Sequence, residues 1–332
     1  MSNEHVLIVG TGSAGKRHAR NLTELGCRIS CMDPREDRRT ELAAELSIVE
    51  TFATMEEALT YAKKPDGIVI ASPPSAHVDQ AITALGAGIP VLLEKPVSPT
   101  LENGELLAAK QHETGVPLLL GYTWRWWPPL AEVRRLLAEN TVGRLRHVNF
   151  IMSAHLADWH PWERYQNFFM AHSAFGGGAL LDESHWVDLM LWFFGAPQCI
   201  FASVEKISDL EIDTDDNVDM LVSYGNGLRV TIHLDLFGRP HQKSIRIIGE
   251  NGSILWNETP NRIAVGSEAS EQWRETHFDC ERNDMFMAVA REFLDTLRGE
   301  PVKTCSLADG IQVMRVIEAA RESHRSGRVV HL

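Results

Sequence analysis

The sequence predicts an α/β plus α+β chain, an N-terminal doubly wound parallel sheet followed by a C-terminal open, mostly antiparallel sheet. Three observations carry that prediction. Up to Gly121, short apolar runs alternate strictly with helical stretches, as in a parallel sheet covered on both faces. The first apolar run ends in a glycine-spaced turn. Beyond Gly121 the extended runs are separated by turn residues instead of helices. The expected domains are 1–122 and 123–332, with the C-terminal helix free to pack back on the first.

Val6-Leu7-Ile8-Val9 reads as a strand buried on both faces, and Gly10, Gly12 and Gly15 follow it with the spacing G-x-G-x-x-G. Gly10 permits a tight turn, Gly12 leaves the backbone open to a pyrophosphate, and Gly15 lets the next helix approach the strand. Ser13 and Ala14 stand at the N-terminus of that helix, predicted over Lys16–Leu25, where phosphate oxygens are favoured. Three glycines alone are compatible with an ordinary βαβ turn. Asp33 adds weight, because it ends the second apolar segment about twenty residues on, where a Rossmann fold places the acid that binds a ribose hydroxyl. That carboxylate favours NAD, although Arg35, Arg38 and Arg39 behind it leave NADP possible.

Further along, helices are predicted over Arg38–Leu46, Thr54–Ala62, Ser75–Ala87 and Leu101–Glu113, and strands over Ile48–Thr51, Gly67–Ala71, Pro90–Glu94 and Val116–Gly121. Thr54 and Glu57 have capping-box spacing. A Trp-rich turn, Trp124 to Pro129, precedes a helix over Leu130–Glu139. Strands follow at Arg146–Ala154, Ile200–Ile207, Val218–Tyr224, Leu228–Leu236, Lys243–Ile248 and Ser253–Trp256, and helices over Asp284–Arg298 and Leu307–Ser326 close the chain.

Composition narrows the function. The chain has 332 residues and a net charge of −13, which disfavours a nucleic-acid or membrane-surface partner. Five cysteines without a C-x-x-C pair do not form a disulfide framework. Residues 1–5 lack a basic or apolar leader and no run is long enough to span a bilayer, so a cytoplasmic protein is expected.

Ligands of doubly wound sheets lie beyond the C-terminal strand ends, which directs attention to Ser72-Pro73 with His77, and to Glu94-Lys95-Pro96. A lysine desolvated beside a nicotinamide can exchange a proton with a hydroxyl; one following a strand can equally be a surface residue. In Gly176-Gly177-Gly178-Ala-Leu-Leu-Asp182-Glu-Ser-His185, Asp182 is expected to cap a single helix running to Phe194, with His185 one turn on. His185 is either tuned by that acid or a satisfied core histidine. Asp182 and His185 with His160 or His172 lack metal-site spacing, and no metal is predicted.

Together the glycine motif followed by Lys16-Arg17-His18-Ala19-Arg20-Asn21-Leu22, Ala71-Ser72-Pro73-Pro74, Glu94-Lys95-Pro96, the Gly-Gly-Gly-x-Leu-x-Asp segment and Gly249-Glu250-Asn251-Gly252 resemble the glucose-fructose oxidoreductase / inositol dehydrogenase (Gfo/Idh/MocA) family. The resemblance spans essentially the whole chain. It implies an NAD(P)-dependent oxidoreductase acting on a sugar or cyclitol hydroxyl or the matching ketone. It further implies Lys95 as general acid/base, His185 hydrogen-bonding the same oxygen and Asp182 positioning the sugar, with Pro96 after a cis peptide. Gly10, Gly12, Ser13, Ala14, Gly15, Asp33, Arg38, Ser72, Pro73, His77, Glu94, Lys95 and Arg125 would contact the cofactor, and Lys95, Trp124, Trp159, His160, Trp162, Asp182 and His185 the substrate. Relatives commonly read Asp-x-Gly-x-His, whereas Asp182-Glu183-Ser184-His185 is one residue shorter, and with Trp159-His160-Pro161 this resembles the surface-polysaccharide and amino-sugar branch. Arg164 and Gln166 stand where that branch has Asp and Arg. A homo-oligomer, dimer or tetramer, through the open sheet is implied. An NAD-dependent glycosidase and a non-catalytic dinucleotide sensor are the alternatives.

Overall fold

The computed structural model describes residues 3–61, 64–159, 163–267 and 272–332. The chain divides into two compact units, Met1–Trp126 with Arg282–Ile311, and Trp127–Glu281 with Gln312–Leu332. The boundary thus lies a few residues beyond the expected 122/123, and a stretch near the C-terminus returns to the first unit.

The first unit runs β1 (His5–Val9), α1 (Ser13–Glu24), β2 (Arg28–Met32), α2 (Glu36–Glu45), β3 (Ile48–Phe52), α3 (Met55–Thr60), β4 (Gly67–Ile70), α4 (Pro74–Gly86), β5 (Val91–Glu94), α5 (Leu101–Thr114) and β6 (Leu118–Gly121). The six strands are parallel in the order β3-β2-β1-β4-β5-β6. Strand order reverses between β1 and β4, the switch point at which doubly wound sheets bind ligands. Strands β1, β4, β5 and β6 are buried throughout, which explains their unbroken apolar runs. The Thr54–Glu57 capping box forms as spaced. Helix α1 starts at Ser13, earlier than expected, so Gly15 lies inside its first turn.

The second unit contains α6 (Pro128–Ala138), β7 (Leu145–Ser153), α7 (Ala179–Asp182), α8 (His185–Phe194), β8 (Cys199–Glu205), β9 (Asn217–Ser223), β10 (Arg229–Asp235), β11 (Gln242–Gly249), β12 (Gly252–Asn257), β13 (Arg262–Ser267) and β14 (Arg274–His277). Helices α9 (Arg282–Leu297) and α10 (Leu307–Ser326) and strand β15 (Val330–His331) complete the chain. The nine-stranded sheet has the order β14-β13-β12-β11-β7-β10-β9-β8-β15. Strands β10 and β7 pair in parallel; the other pairings are antiparallel. Period-2 alternation puts Phe150, Ile232, Val218 and Trp256 on the buried face, where Trp186 of α8 packs edge-on against Phe150. Strand β14 is exposed along its length and β15 has only two residues, so neither carries the apolar signal that makes a strand readable.

Two departures reshape the picture. The helix expected from Asp182 to Phe194 is two: α7 ends at Asp182 and α8 begins at His185. Asp182 is therefore not its N-cap; Gly178 occupies that position for α7 and Ser184 for α8, neither closing the helix end with a side-chain cap bond. The first unit also takes its core partly from α9, whose Val289, Ala290, Phe293 and Leu294 pack with Val6, Ile8, Ala19 and Leu22. Gly67 lies tightly under this helix, since a Cβ there would lie 2.7 Å from Leu297 Cδ2 and 2.8 Å from Phe293 Cζ, and both side chains would have to shift.

Candidate active site

The glycine loop is explained by two different constraints. Gly10 has φ +84°, and a Cβ on it would fall 2.6 Å from Ser72 N; a Cβ on Gly15 would collide with the Gly10 carbonyl. Packing within the unit demands both. Gly12 is different: its backbone is extended at φ −71°, and an added Cβ would meet only Arg38 Nη1, at 3.7 Å. Among the described residues nothing else comes within 4 Å of that position, so the backbone at Gly12 is open to a ligand. Gly12 also caps α1 without a side-chain bond, which leaves the N–H groups of Ser13 and Ala14 directed at an incoming phosphate. The loop fits a dinucleotide pyrophosphate, and Arg38 stands beside it.

Asp33 ends β2 and is buried. Its Oδ2 accepts from Thr11 N (2.8 Å) and Thr11 Oγ1 (3.1 Å), and its Oδ1 from Arg35 N (2.9 Å). A carboxylate offers about four acceptor positions, so one on Oδ1 remains for a ribose hydroxyl. Arg39 donates to the Asp33 carbonyl, and Arg35 pairs with Asp37.

At the end of β5, Glu94 is buried and its Oε1 accepts from His18 Nε2 of α1 at 2.7 Å. Burial pushes the Glu94 carboxyl upward, but the His18 bond, followed by the charges of His18, Lys95 and His77, outweighs it and holds Glu94 below its usual value. His77 is fully buried on α4, with Nδ1 2.8 Å from Pro96 O and Nε2 2.8 Å from Ser72 O. It ties together the segments that follow β4 and β5, and burial drives its pKa down against the pull of both carbonyls. Ser72 Oγ is occupied by Gln80, and Pro73 is exposed as the N-cap of α4. Lys95 is half-buried, and the Lys95–Pro96 peptide is cis.

The Trp-rich turn is gripped from the C-terminal segment of the same unit. Arg125 is buried and donates to Thr304 O (2.8 Å) and Asp309 Oδ1 (3.3 Å). Trp126 Nε1 donates to Glu292 Oε2 (3.0 Å), whose carboxylate also accepts from Lys303 N and Thr304 N. The guanidinium expected at the cofactor is thus engaged in bracing this turn, and Trp124 is 7% exposed within it.

In the second unit, Asp182, Glu183 and Ser184 are buried and His185 is half-buried at the start of α8. Asp215 caps α7 from afar: its Oδ2 accepts from Leu180 N at 2.8 Å, its carbonyl accepts from Ala179 N, and a Cβ on Gly178 would overlap its carboxylate. Gly178 leaves the space that this carboxylate needs, whereas a Cβ on Gly177 would collide with the Phe169 and Met170 carbonyls. Trp159 is half-buried, whereas His160 and Trp162 lie outside the described residues. Among the described residues no cluster of three His, Cys, Asp or Glu has metal-binding geometry, and no helix is long and apolar enough to cross a membrane.

His18, Thr11, Glu292 and Asp215 went unread as site residues. Only His18 left a local signal: it sits three residues after Gly15, on the helix face that Gly15 presents to the sheet.

The sequence profile of the oxidoreductase family with an NAD-binding Rossmann fold matches residues 5–122, and that of the GFO/IDH/MocA C-terminal domain matches residues 130–255. The rhizopine catabolism protein MocA of Rhizobium meliloti is 31% identical over 95% of this chain and 93% of its own. The scyllo-inositol 2-dehydrogenase (NADP(+)) IolW of Bacillus subtilis is 24% identical over 89% of this chain and 86% of its own. A levoglucosan dehydrogenase solved with NADH and levoglucosan has the same fold, at TM-score 0.89 with 18% identity and 99% of each chain covered. With both profiles in sequence order and the glycine loop shaped for a dinucleotide, the chain belongs to the GFO/IDH/MocA family of NAD-binding oxidoreductases.

Proposed function

We propose that this enzyme oxidises a secondary hydroxyl of a sugar or cyclitol, or reduces the matching ketone, with Lys95 as general acid/base and NAD favoured over NADP. The observation that carries the reading is the placement of Lys95 at the end of β5, next to the switch-point strand β4, after the buried Glu94–His18 pair. The nicotinamide supplies the hydride acceptor or donor. Gly10, Gly12, Ser13, Ala14 and Gly15 hold the pyrophosphate, Arg38 borders it, and Asp33 takes the ribose hydroxyl on its remaining acceptor position. Ser72, Pro73, His77 and Glu94 shape the segments beyond β4 and β5. Lys95 takes the hydroxyl proton as hydride leaves and returns it in the reverse direction. His185 and Asp182 serve as hydrogen-bonding groups for substrate oxygens, with Trp124 and Trp159 as aromatic surface for a sugar ring. The relatives named for scyllo-inositol and levoglucosan support a polyhydroxylated substrate.

Turnover of scyllo-inositol, myo-inositol and levoglucosan, followed by nicotinamide absorbance with NAD⁺ and NADP⁺, tests the reading directly. Lys95→Ala should lose at least about a hundredfold in kcat while NADH still binds; full activity in that variant discards the mechanism. Release of a glycosidic leaving group without net change in absorbance would support the glycosidase alternative.

We also propose a homo-oligomer assembled through the outer face of the nine-stranded sheet. Phe201 and Leu221 are paired across β8 and β9 and are 45% and 49% exposed, an apolar strip flanked by Thr231. Sedimentation velocity should show a dimer or larger, and the double variant Phe201→Glu/Leu221→Glu should shift it to monomer.

A further inference from the structure

We propose that His18 and Glu94 are a positioning pair: His18 keeps Glu94 charged inside the first unit, and that fixed negative charge governs when Lys95 releases its proton. The inference rests on the reading of Lys95 as the proton-transfer group and extends it to residues that do not touch the reacting atoms.

The geometry is closed and local. His18 is fully buried on α1, its Nε2 2.7 Å from Glu94 Oε1, and because a carboxylate can only accept, Nε2 is the donor. His18 Nδ1 is buried without a hydrogen-bond partner, so the hydrogen bond that the imidazole makes is the one to Glu94. Phe286 of α9 lies edge-on to the ring at 5.8 Å and shields it. Gly121 of β6 closes the other side of Glu94, since a Cβ there would lie 3.3 Å from the carboxyl carbon.

A buried carboxylate is costly unless its charge is compensated. The charged groups facing Glu94 are His18 and Arg17 from α1, His77 from α4 and Lys95 from its own segment; β6 contributes only glycine. Lys95 stabilises the charged form of Glu94, and that attraction is reciprocal, so the carboxylate favours the protonated ammonium of Lys95. Removing the carboxylate's charge, or the donor that maintains it, therefore makes Lys95 deprotonate at lower pH. Helix α1 carries both the dinucleotide loop and His18, so the element that receives the cofactor also holds the charge beside Lys95.

The test reads Lys95 itself and does not need a known substrate. In the NAD⁺-loaded protein, trace acetylation of Lys95 by acetic anhydride is followed against pH by peptide mass spectrometry. Glu94→Gln, which preserves volume and still accepts the His18 bond, should lower the midpoint of Lys95 reactivity by about one pH unit. His18→Phe should lower it similarly, His18→Gln, whose amide can still donate, should move it less, and the double variant His18→Phe/Glu94→Gln should match Glu94→Gln alone. An unmoved midpoint in Glu94→Gln, or additive shifts in the double variant, overturns the proposal. Absence of turnover on every sugar and cyclitol would instead strike the functional reading and leave the labelling curve legible.

Discussion

In the first unit the loop after β1 is shaped by missing side chains: Gly10 and Gly15 must lack a Cβ because backbone atoms of the same unit occupy that space. In the second, the loop leading into α7 is shaped by a carboxylate, Asp215, that arrives from 35 residues along the chain to bond Leu180 N. Asp216 beside it accepts from Ile207 N and Ser208 N and fixes the preceding loop in the same way. A loop defined by excluded volume tolerates no added carbon and is indifferent to pH. One defined by buried carboxylates depends on their protonation and on the donors they meet.

That contrast can be broken most severely at Gly15. Gly15→Ala should cost about 3 kcal/mol or more, because the methyl must displace the Gly10 carbonyl, and NADH binding should vanish with it. Gly12→Ala should leave the denaturation midpoint nearly unchanged yet weaken NADH at least about tenfold, roughly 1.4 kcal/mol, in a fluorescence titration. Wild-type affinity in Gly12→Ala would mean that nothing binds against that backbone.

Asp215→Ala should cost about 1–2 kcal/mol in chemical denaturation through the lost cap of α7. Asp215→Asn keeps an acceptor and exposes the electrostatic part. Burial raises the folded-state pKa of Asp215, so the wild type is favoured at low pH and loses that contribution as pH rises through the raised value. The Asn variant should therefore gain on the wild type as pH increases.

The smallest effect is expected on the sheet surface. His233 lies 3.1 Å from Asp235 and 2.8 Å from Asp219, and chiefly the Asp235 bond raises its pKa from 6.5 to about 9. Its stabilising contribution is complete below the ordinary value of 6.5 and disappears as pH rises through about 9. His233→Gln should flatten the thermal unfolding midpoint over that interval; an unchanged slope would show that the paired carboxylates contribute nothing there.

The same contrast explains what could be read in advance. The glycine loop and the doubly wound parallel sheet of the first unit were legible because their causes are local: spacing, period and an acid about twenty residues on. The break between α7 and α8 was not, because no glycine or proline interrupts Ala179 to Phe194 while the carboxylate that caps α7 lies in another segment. The bonds of Arg125 and Glu292 were not legible for a related reason. Their partners, Thr304, Asp309 and Trp126, are brought together by the fold and not by proximity in sequence.

Helix α9 has a consequence for how the protein is made. Val6, Ile8 and Leu22 leave the ribosome more than 250 residues ahead of Phe293 and Leu294, which seal the core they belong to. The nascent Rossmann sheet must wait, with one apolar flank uncovered, while more than 150 residues of the second unit are synthesised between Trp127 and Glu281. Such an intermediate is open to aggregation and to chaperones. Chains terminated before Arg282 should accumulate in that state, however intact their dinucleotide motif.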